Sequence, residues 1–138
     1  MAFSGNFLCT SFKVELMKGV HNFTAASDQF KLALYNNSAS FTAATTAYTS
    51  SNEISGTNYT AKGNFLTSVT PVASSTTAFT DFADEVFSTV TISAVRGALI
   101  FNEAATSDPT VCVLDFGADK AASSGDFTIV FPTADASN

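Results

Sequence analysis

The chain has 138 residues, enough for one domain, and charged residues make up only 13% of it, about half the share in an ordinary soluble domain. Its 12 acidic and 6 basic side chains give a formal net charge of -6, which excludes the clustered cations of a nucleic-acid-binding protein. The chain also lacks an apolar stretch long enough to span a membrane and a secretory signal, so we expect no membrane partner and assembly in a cytoplasm.

The first part of the chain, residues 1–28, predicts an N-terminal arm that carries one short helix ending at Gly19. Phe12 and Leu16 lie one turn apart on one face of this helix, with Met17 beside them. A helix of about two turns is marginal alone. We therefore expect this apolar face to dock on a sheet or on a neighbouring subunit.

Alternating apolar and polar residues predict short strands over most of the remaining chain. The predicted strands are Phe30–Tyr35, Asn64–Val72, Ala78–Ala83, Val86–Val95, Ala98–Phe101, Val111–Phe116 and Phe127–Phe131. Turn chemistry predicts a turn over Ser74–Thr77 and a hairpin connection over Gly117–Asp126, and Arg96-Gly97 predicts a bulge. The expected fold is mainly β: a single antiparallel β-sandwich or jelly-roll-like domain over residues 1–138.

The segment from Phe41 to Gly63 has no hydrophobic period and predicts a long irregular loop. Tyr48, Ile54 and Tyr59 are its isolated large residues. Loops of this length in a compact domain are uncommon and often make functional contacts.

Residues that carry chemistry are few. His21 is the only histidine, and the sequence contains no C-x-x-C, no HExxH and no glycine-rich phosphate loop, so no catalytic residue and no cofactor are expected. His21 is interpreted as a structural residue after the helix. Cys9 and Cys112 are interpreted as reduced cysteines buried as small apolar residues.

Two groups of acidic residues make a divalent-cation site geometrically possible: Asp81, Asp84 and Glu85, and Asp115, Asp119 and Asp126. They lack the spacing of a calcium-binding loop. We favour turn capping and protection of sheet edges as their role, so no metal is expected.

Five ordered motifs carry a resemblance to known proteins: LALYNNSA, TSSNEISGTNYTAKG, VRGALIFN, VLDFGADK and GDFTIVFP. With their flanking residues they span most of the chain, which resembles a family of small structural proteins of tailed-bacteriophage virions. The resemblance implies a capsid decoration (cement) protein that is not an enzyme, binds the major capsid protein on the outer shell and bridges capsomers. We expect a homotrimer located at the capsid surface of the virion.

The expected contacts with the shell or with sister subunits come from the N-terminal segment and the long loop. The candidate interface residues are Phe3, Phe7, Leu8, Phe12, Leu16, Met17, Tyr48, Ile54 and Tyr59. One alternative is a tail or neck adaptor or a fibre-base protein. Another is a carbohydrate-binding module on the virion surface, for which Tyr35, Tyr48 and Tyr59 would have to be exposed; a metal-dependent enzyme comes last.

Overall fold

We describe residues 3–137 of a computed structural model, which form one short helix and seven strands. In chain order these are β1 (Phe7–Leu8), α1 (Thr10–Met17), β2 (Phe30–Tyr35), β3 (Asn64–Phe65), β4 (Ser68–Ser74), β5 (Thr77–Phe82), β6 (Glu85–Asn102) and β7 (Thr110–Ile129). The strands make a five-stranded sheet in the order β1-β7-β6-β2-β3 and a separate two-stranded sheet of β4 and β5, with every pairing antiparallel. The prediction of a mainly β, antiparallel chain with one short N-terminal helix is confirmed.

Strand β2 lies between β3 and β6 and is the most deeply buried element. It pairs with the second half of β6, from Phe30 opposite Asn102 to Tyr35 opposite Gly97. The alternation in the sequence predicted the bounds of β2 correctly. Only Lys31 keeps appreciable exposure, because β2 is covered on both faces and not on one.

Strands β6 and β7 form a long ribbon of 18 and 20 residues. The predicted hairpin connection over Gly117–Asp126 is wrong, because these residues pair with β6 and β7 runs through them without interruption. Several register shifts interrupt the pairing, including one between Val95 and Gly97, where a bulge was predicted. The rings of Phe116 and Phe127 lie 6.3 Å apart, whereas a straight strand would separate them by about 36 Å. The ribbon therefore bends back on itself.

The helix begins at Thr10, after Cys9 at its N-cap, and ends before Gly19, whose φ of 73° is the expected left-handed stop. Only part of its predicted docking face is buried within the chain. Phe12 packs into the core, Leu16 is 47% exposed and Met17 is 82% exposed.

The predicted strand Asn64–Val72 is wrong in its bounds, because the chain forms two strands there, β3 and β4. Strand β4 continues past Pro71, which lies at an irregularity in the pairing between Val69 and Val72. A proline, which has no N–H to donate, is tolerated at such a bulge in a two-stranded sheet. The predicted turn after Ser74 is confirmed, since β5 begins at Thr77.

Candidate contact surface

The N-terminal residues proposed for an interface divide between core and surface. Phe3 is 1% exposed and lies against Gly97, where a β-carbon would come within 2.5 Å of its ring. Phe7 is partly buried against the core, and Phe12 is buried beside the ring of Phe23. Leu8, Leu16 and Met17 remain exposed, so the part of the N-terminal segment that can reach a partner is the helix and its entry.

The residues proposed in the long loop mainly serve the chain's own packing. Ile54 is buried, and Tyr48 and Tyr59 are partly buried, with their rings 4.8 Å from Phe101 and 5.7 Å from Phe87 respectively. The loop therefore covers the sheet and does not extend away from it.

Glu53 organises this loop by accepting three hydrogen bonds. Its carboxylate accepts from the hydroxyls of Tyr48 at 2.5 Å and Tyr59 at 2.8 Å and from the backbone N–H of Lys62 at 2.7 Å. The Tyr59 hydroxyl also accepts from the backbone N–H of Leu34 in β2 at 2.9 Å, which ties the loop to the centre of the sheet. Burial, with the Glu53 charge nearby, raises the pKa of both tyrosines above the usual value.

Beside this group, the Lys62 ammonium donates to Asp108 at 2.8 Å and to Glu103 at 3.3 Å. The Asp108 hydrogen bond is the main reason that the pKa of Lys62 lies above its usual value. Glu103 also pairs with Lys31 of β2 at 3.3 Å. These ion pairs join the long loop to the loop between β6 and β7, and sequence reasoning missed them because the partners are far apart in the chain.

His21 is buried in a polar cluster, as its structural interpretation requires. Its Nδ1 lies 3.3 Å from the side-chain amide nitrogen of Asn102, which also donates to Asp28 at 2.7 Å. Because an amide nitrogen donates, Nδ1 is the acceptor and Nε2 carries the proton, which it donates to Glu15 at 2.9 Å. The imidazole thus links α1 to the end of β6.

The cysteines lie near the junction of β1 and β7, and both are free. Cys9 is fully buried; Cys112 keeps some accessible surface, but its thiol is enclosed. Burial raises the pKa of Cys9 above its usual value and that of Cys112 to about 12. Both thiols are therefore poorly ionised at neutral pH.

Five of the six acidic residues that were considered as metal ligands accept hydrogen bonds from the chain itself. Asp84 accepts from the Phe131 N–H, Asp126 from the Thr89 N–H, and Asp115 from the Gly117 N–H. The Gly117 bond, with the ion pair to Arg96, lowers the pKa of Asp115. Within residues 3–137, no group of three or more His, Cys, Asp or Glu side chains is placed to hold a metal ion.

The two-stranded sheet is mostly exposed, and we call it the projecting hairpin (Ser68–Phe82). Apart from its two end residues, Ser68 and Phe82, its residues are exposed or nearly so, and Val72 is 54% exposed. An isolated two-stranded hairpin is at best marginally stable in water. Sequence reasoning missed this surface because the segment is rich in Thr, Ser and Ala, with little to set it apart from the rest of the chain.

A hollow of about 290 Å³ separates the projecting hairpin from α1, and we call it the hairpin groove. Its lining is almost entirely apolar: Phe12, Leu16, Phe23, Pro71, Ala78, Phe79 and Thr80. Phe23 continues the apolar contact inward, stacking on Phe30 of β2 with ring centroids 4.5 Å apart. The inner wall of the groove therefore belongs to the hydrophobic core, and its outer wall is exposed to solvent.

No helix in the described part of the chain is long and apolar enough to cross a membrane. Comparison with known proteins gives no match: no protein-family model fits the chain, and no curated protein or solved structure is significantly similar to it.

Proposed function

We propose that this chain is a structural protein of a tailed-bacteriophage virion: a capsid decoration (cement) protein that binds the major capsid protein on the outer shell. The viral setting rests on the five sequence motifs. In the structure, these motifs supply β2, the Glu53 loop and the paired parts of β6 and β7, so the resemblance lies in the scaffold.

The observation that carries the contact role is the projecting hairpin with its groove. Val69, Val72 and Phe79 present apolar side chains on a segment with few supports of its own, beside the half-exposed Leu16. Covering a side chain of this size contributes roughly 1.5–3 kcal/mol, so a few of them give a useful contact when repeated across a symmetric shell. A protein that binds only the assembled shell stabilises it by mass action.

The proposal includes a homotrimer that bridges adjacent capsomers, assembled in the host cytoplasm and located at the capsid surface. It also includes a sandwich-like core, in which the folded-back ribbon of β6 and β7 supplies the two layers through contacts such as Phe116 on Phe127. A sugar-binding role is less well supported, because Tyr35 is buried and Tyr48 and Tyr59 are partly buried, which leaves no open tyrosine platform.

Charge substitution on the projecting hairpin tests the proposal. We expect the double variant Val72→Asp/Phe79→Asp to fold normally and to be lost from purified particles, as measured by quantitative mass spectrometry of protein copies per particle. The matched control is Val86→Asp, which changes a partly exposed valine on β6 and should leave incorporation unchanged.

Hundreds of wild-type copies per particle support decoration of the shell, whereas a dozen or fewer would overturn it in favour of a tail or neck component. Absence of the protein from purified particles, or undiminished incorporation of the folded double variant, would contradict the proposed contact.

A further inference from the structure

A hollow of about 440 Å³, which we call the Phe65 hollow, lies between residues 25–29 and residues 65–68. Its two walls are tied together through β4, because the N–H of Ala25 donates to the hydroxyl of Thr70 at 3.0 Å. Small-ligand sites in proteins measure about 300–1,000 Å³. The Phe65 hollow is therefore large enough to hold a small ligand between walls that the chain itself connects.

Phe65 gives the hollow an aromatic wall that its neighbours hold in place. It lies in β3 opposite Lys31 of β2, and the Lys31 ammonium lies 4.3 Å from the centre of its ring. Lys31 is fixed in turn by its ion pair with Glu103 at 3.3 Å. Unlike the tyrosines of the long loop, Phe65 is 52% exposed. The ring face turned away from Lys31 is therefore available to a ligand.

The lining also contains polar side chains that make no hydrogen bond within residues 3–137: Gln29, Thr67 and Ser68. Ser68 is the most informative of them, because it is only 9% exposed and a buried hydroxyl without a hydrogen bond is costly. Asp28 adds a carboxylate oxygen, since both hydrogen bonds that it accepts end on Oδ2 and leave Oδ1 unused by the described chain. The hollow thus offers both donors and acceptors to a ligand.

The composition of the lining restricts the chemical class of that ligand. One carboxylate and no basic side chain disfavour an anion, and the unpaired polar groups disfavour a wholly apolar molecule. A pyranose sugar has a face of C–H groups that can cover an aromatic ring, and its hydroxyls both donate and accept hydrogen bonds. A neutral sugar therefore matches the aromatic wall and the polar groups together.

We propose that the Phe65 hollow binds a pyranose unit of a neutral glycan. The C–H face of the sugar lies on the open face of Phe65, and its hydroxyls bond to the side chains of Asp28, Gln29 and Ser68. This activity is separate from the proposed shell contact, which uses the exposed apolar residues of the projecting hairpin.

The test is a glycan array together with ¹H–¹⁵N NMR titration of the purified chain with the methyl glycosides of glucose, galactose, mannose and N-acetylglucosamine. We expect saturable shifts centred on the amides of residues 25–29 and 65–68. Phe65→Ala should raise the dissociation constant at least about tenfold, because it removes the stacking ring. Ser68→Ala should weaken binding several-fold and leave the free energy of unfolding unchanged, because its hydroxyl has no partner in the described chain.

Two variants serve as controls. Phe65→Tyr keeps an aromatic ring and should bind as wild type does, and Val72→Ala on the projecting hairpin should have no effect. The inference would be overturned by an array without any bound glycan and titrations without saturable shifts, by shifts that map to another surface, or by unchanged binding in Phe65→Ala. Its failure is distinguishable from failure of the proposed function, because sugar binding is measured on the purified chain and the shell contact on particles.

Discussion

The hydroxyl of Tyr59 donates a 2.8 Å hydrogen bond to Glu53 while it accepts one from the Leu34 backbone, so this loop tyrosine joins the carboxylate to the middle strand of the sheet. The long loop has no regular secondary structure of its own. Its order comes from this carboxylate and from ring packing.

Replacing Glu53 by Ala should therefore destabilise the whole fold. Two tyrosine hydroxyls and the Lys62 N–H lose their acceptor, which we expect to cost about 3 kcal/mol in free energy of unfolding. Glu53→Gln is the matched control, since it keeps one oxygen acceptor and should cost less. Urea denaturation checks both variants, and equal stability of Glu53→Ala and wild type would contradict the central role of this carboxylate.

Stability should fall as the pH rises above about 10, the ordinary pKa of tyrosine. The folded chain raises the pKa of Tyr35, Tyr48 and Tyr59, so above that pH the unfolded chain releases protons that the folded chain retains. Lys62 acts in the same direction, because its pKa is higher in the folded chain than in the unfolded chain. It stabilises the fold at pH values below its unfolded pKa, and this stabilisation is lost as the pH rises through its folded pKa.

Urea midpoints at pH 8, 9, 10 and 11 measure this loss. Tyr59→Phe should be less stable than wild type at pH 8. It should also lose less stability between pH 9 and 11, because it has one fewer tyrosine whose pKa is raised by folding. A wild-type midpoint that does not change up to pH 11 would show that these hydroxyls are not held neutral by the fold.

Gly97→Ala should be severely destabilising. A β-carbon there would lie 2.3 Å from the carbonyl oxygen of Leu114 on the paired strand β7 and 2.5 Å from the buried ring of Phe3. We expect a loss of about 3 kcal/mol or more. Gly19→Ala is the control: it has open space around it, and its φ of 73° gives a smaller cost of about 1 kcal/mol. Comparable denaturation midpoints for the two variants would contradict this packing.

Removal of the projecting hairpin should leave the fold intact. Replacing residues 70–79 with a short Gly-Asn turn keeps Ser68 and Phe82 in place and removes mostly exposed side chains. We expect the free energy of unfolding to change by about 1 kcal/mol or less, as for surface substitutions. Thermal unfolding followed by circular dichroism tests this, and an unfolded deletion variant would show that the hairpin supports the core.

The two thiols should resist modification in the folded protein. Because the pKa of each is raised, we expect no rapid reaction with an aromatic disulfide reagent at pH 8, and reaction of both once the chain is unfolded in guanidinium. Rapid labelling of the native chain would place Cys112 at an open surface.

The sequence predicted the elements whose local pattern agrees with their final environment. Strand β2 and the Ser74–Thr77 turn were correct because alternation and turn chemistry are local signals. The middle of β7 was not predicted correctly. Residues Gly117–Asp126 have the composition of a turn, and they form a strand only because they pair with β6.

The contact surface was harder to predict because burial depends on distant partners. From the sequence, Phe3 is an apolar residue near the terminus, but in the structure its ring packs against Gly97, which has no side chain there. Tyr59 is an isolated large residue in the loop sequence, but its hydroxyl bonds to Glu53 and to the Leu34 backbone. For the same reason, deleting the first dozen residues is a poor test of a partner contact, since it removes Phe3, Cys9 and Phe12 from the core.

The bends in the β6–β7 ribbon also bear on self-templated fibril growth. Fibrils lengthen by adding chains to a straight, flat strand edge with free N–H and C=O groups. A weakly charged, strand-rich polypeptide is especially prone to this kind of aggregation. Here the outer edge of β7 changes direction within a few residues, and Gly117 and Ser124 adopt left-handed backbone angles along it. An incoming extended chain would lose registry after a short distance, so the irregular edge protects against amyloid where charge is scarce.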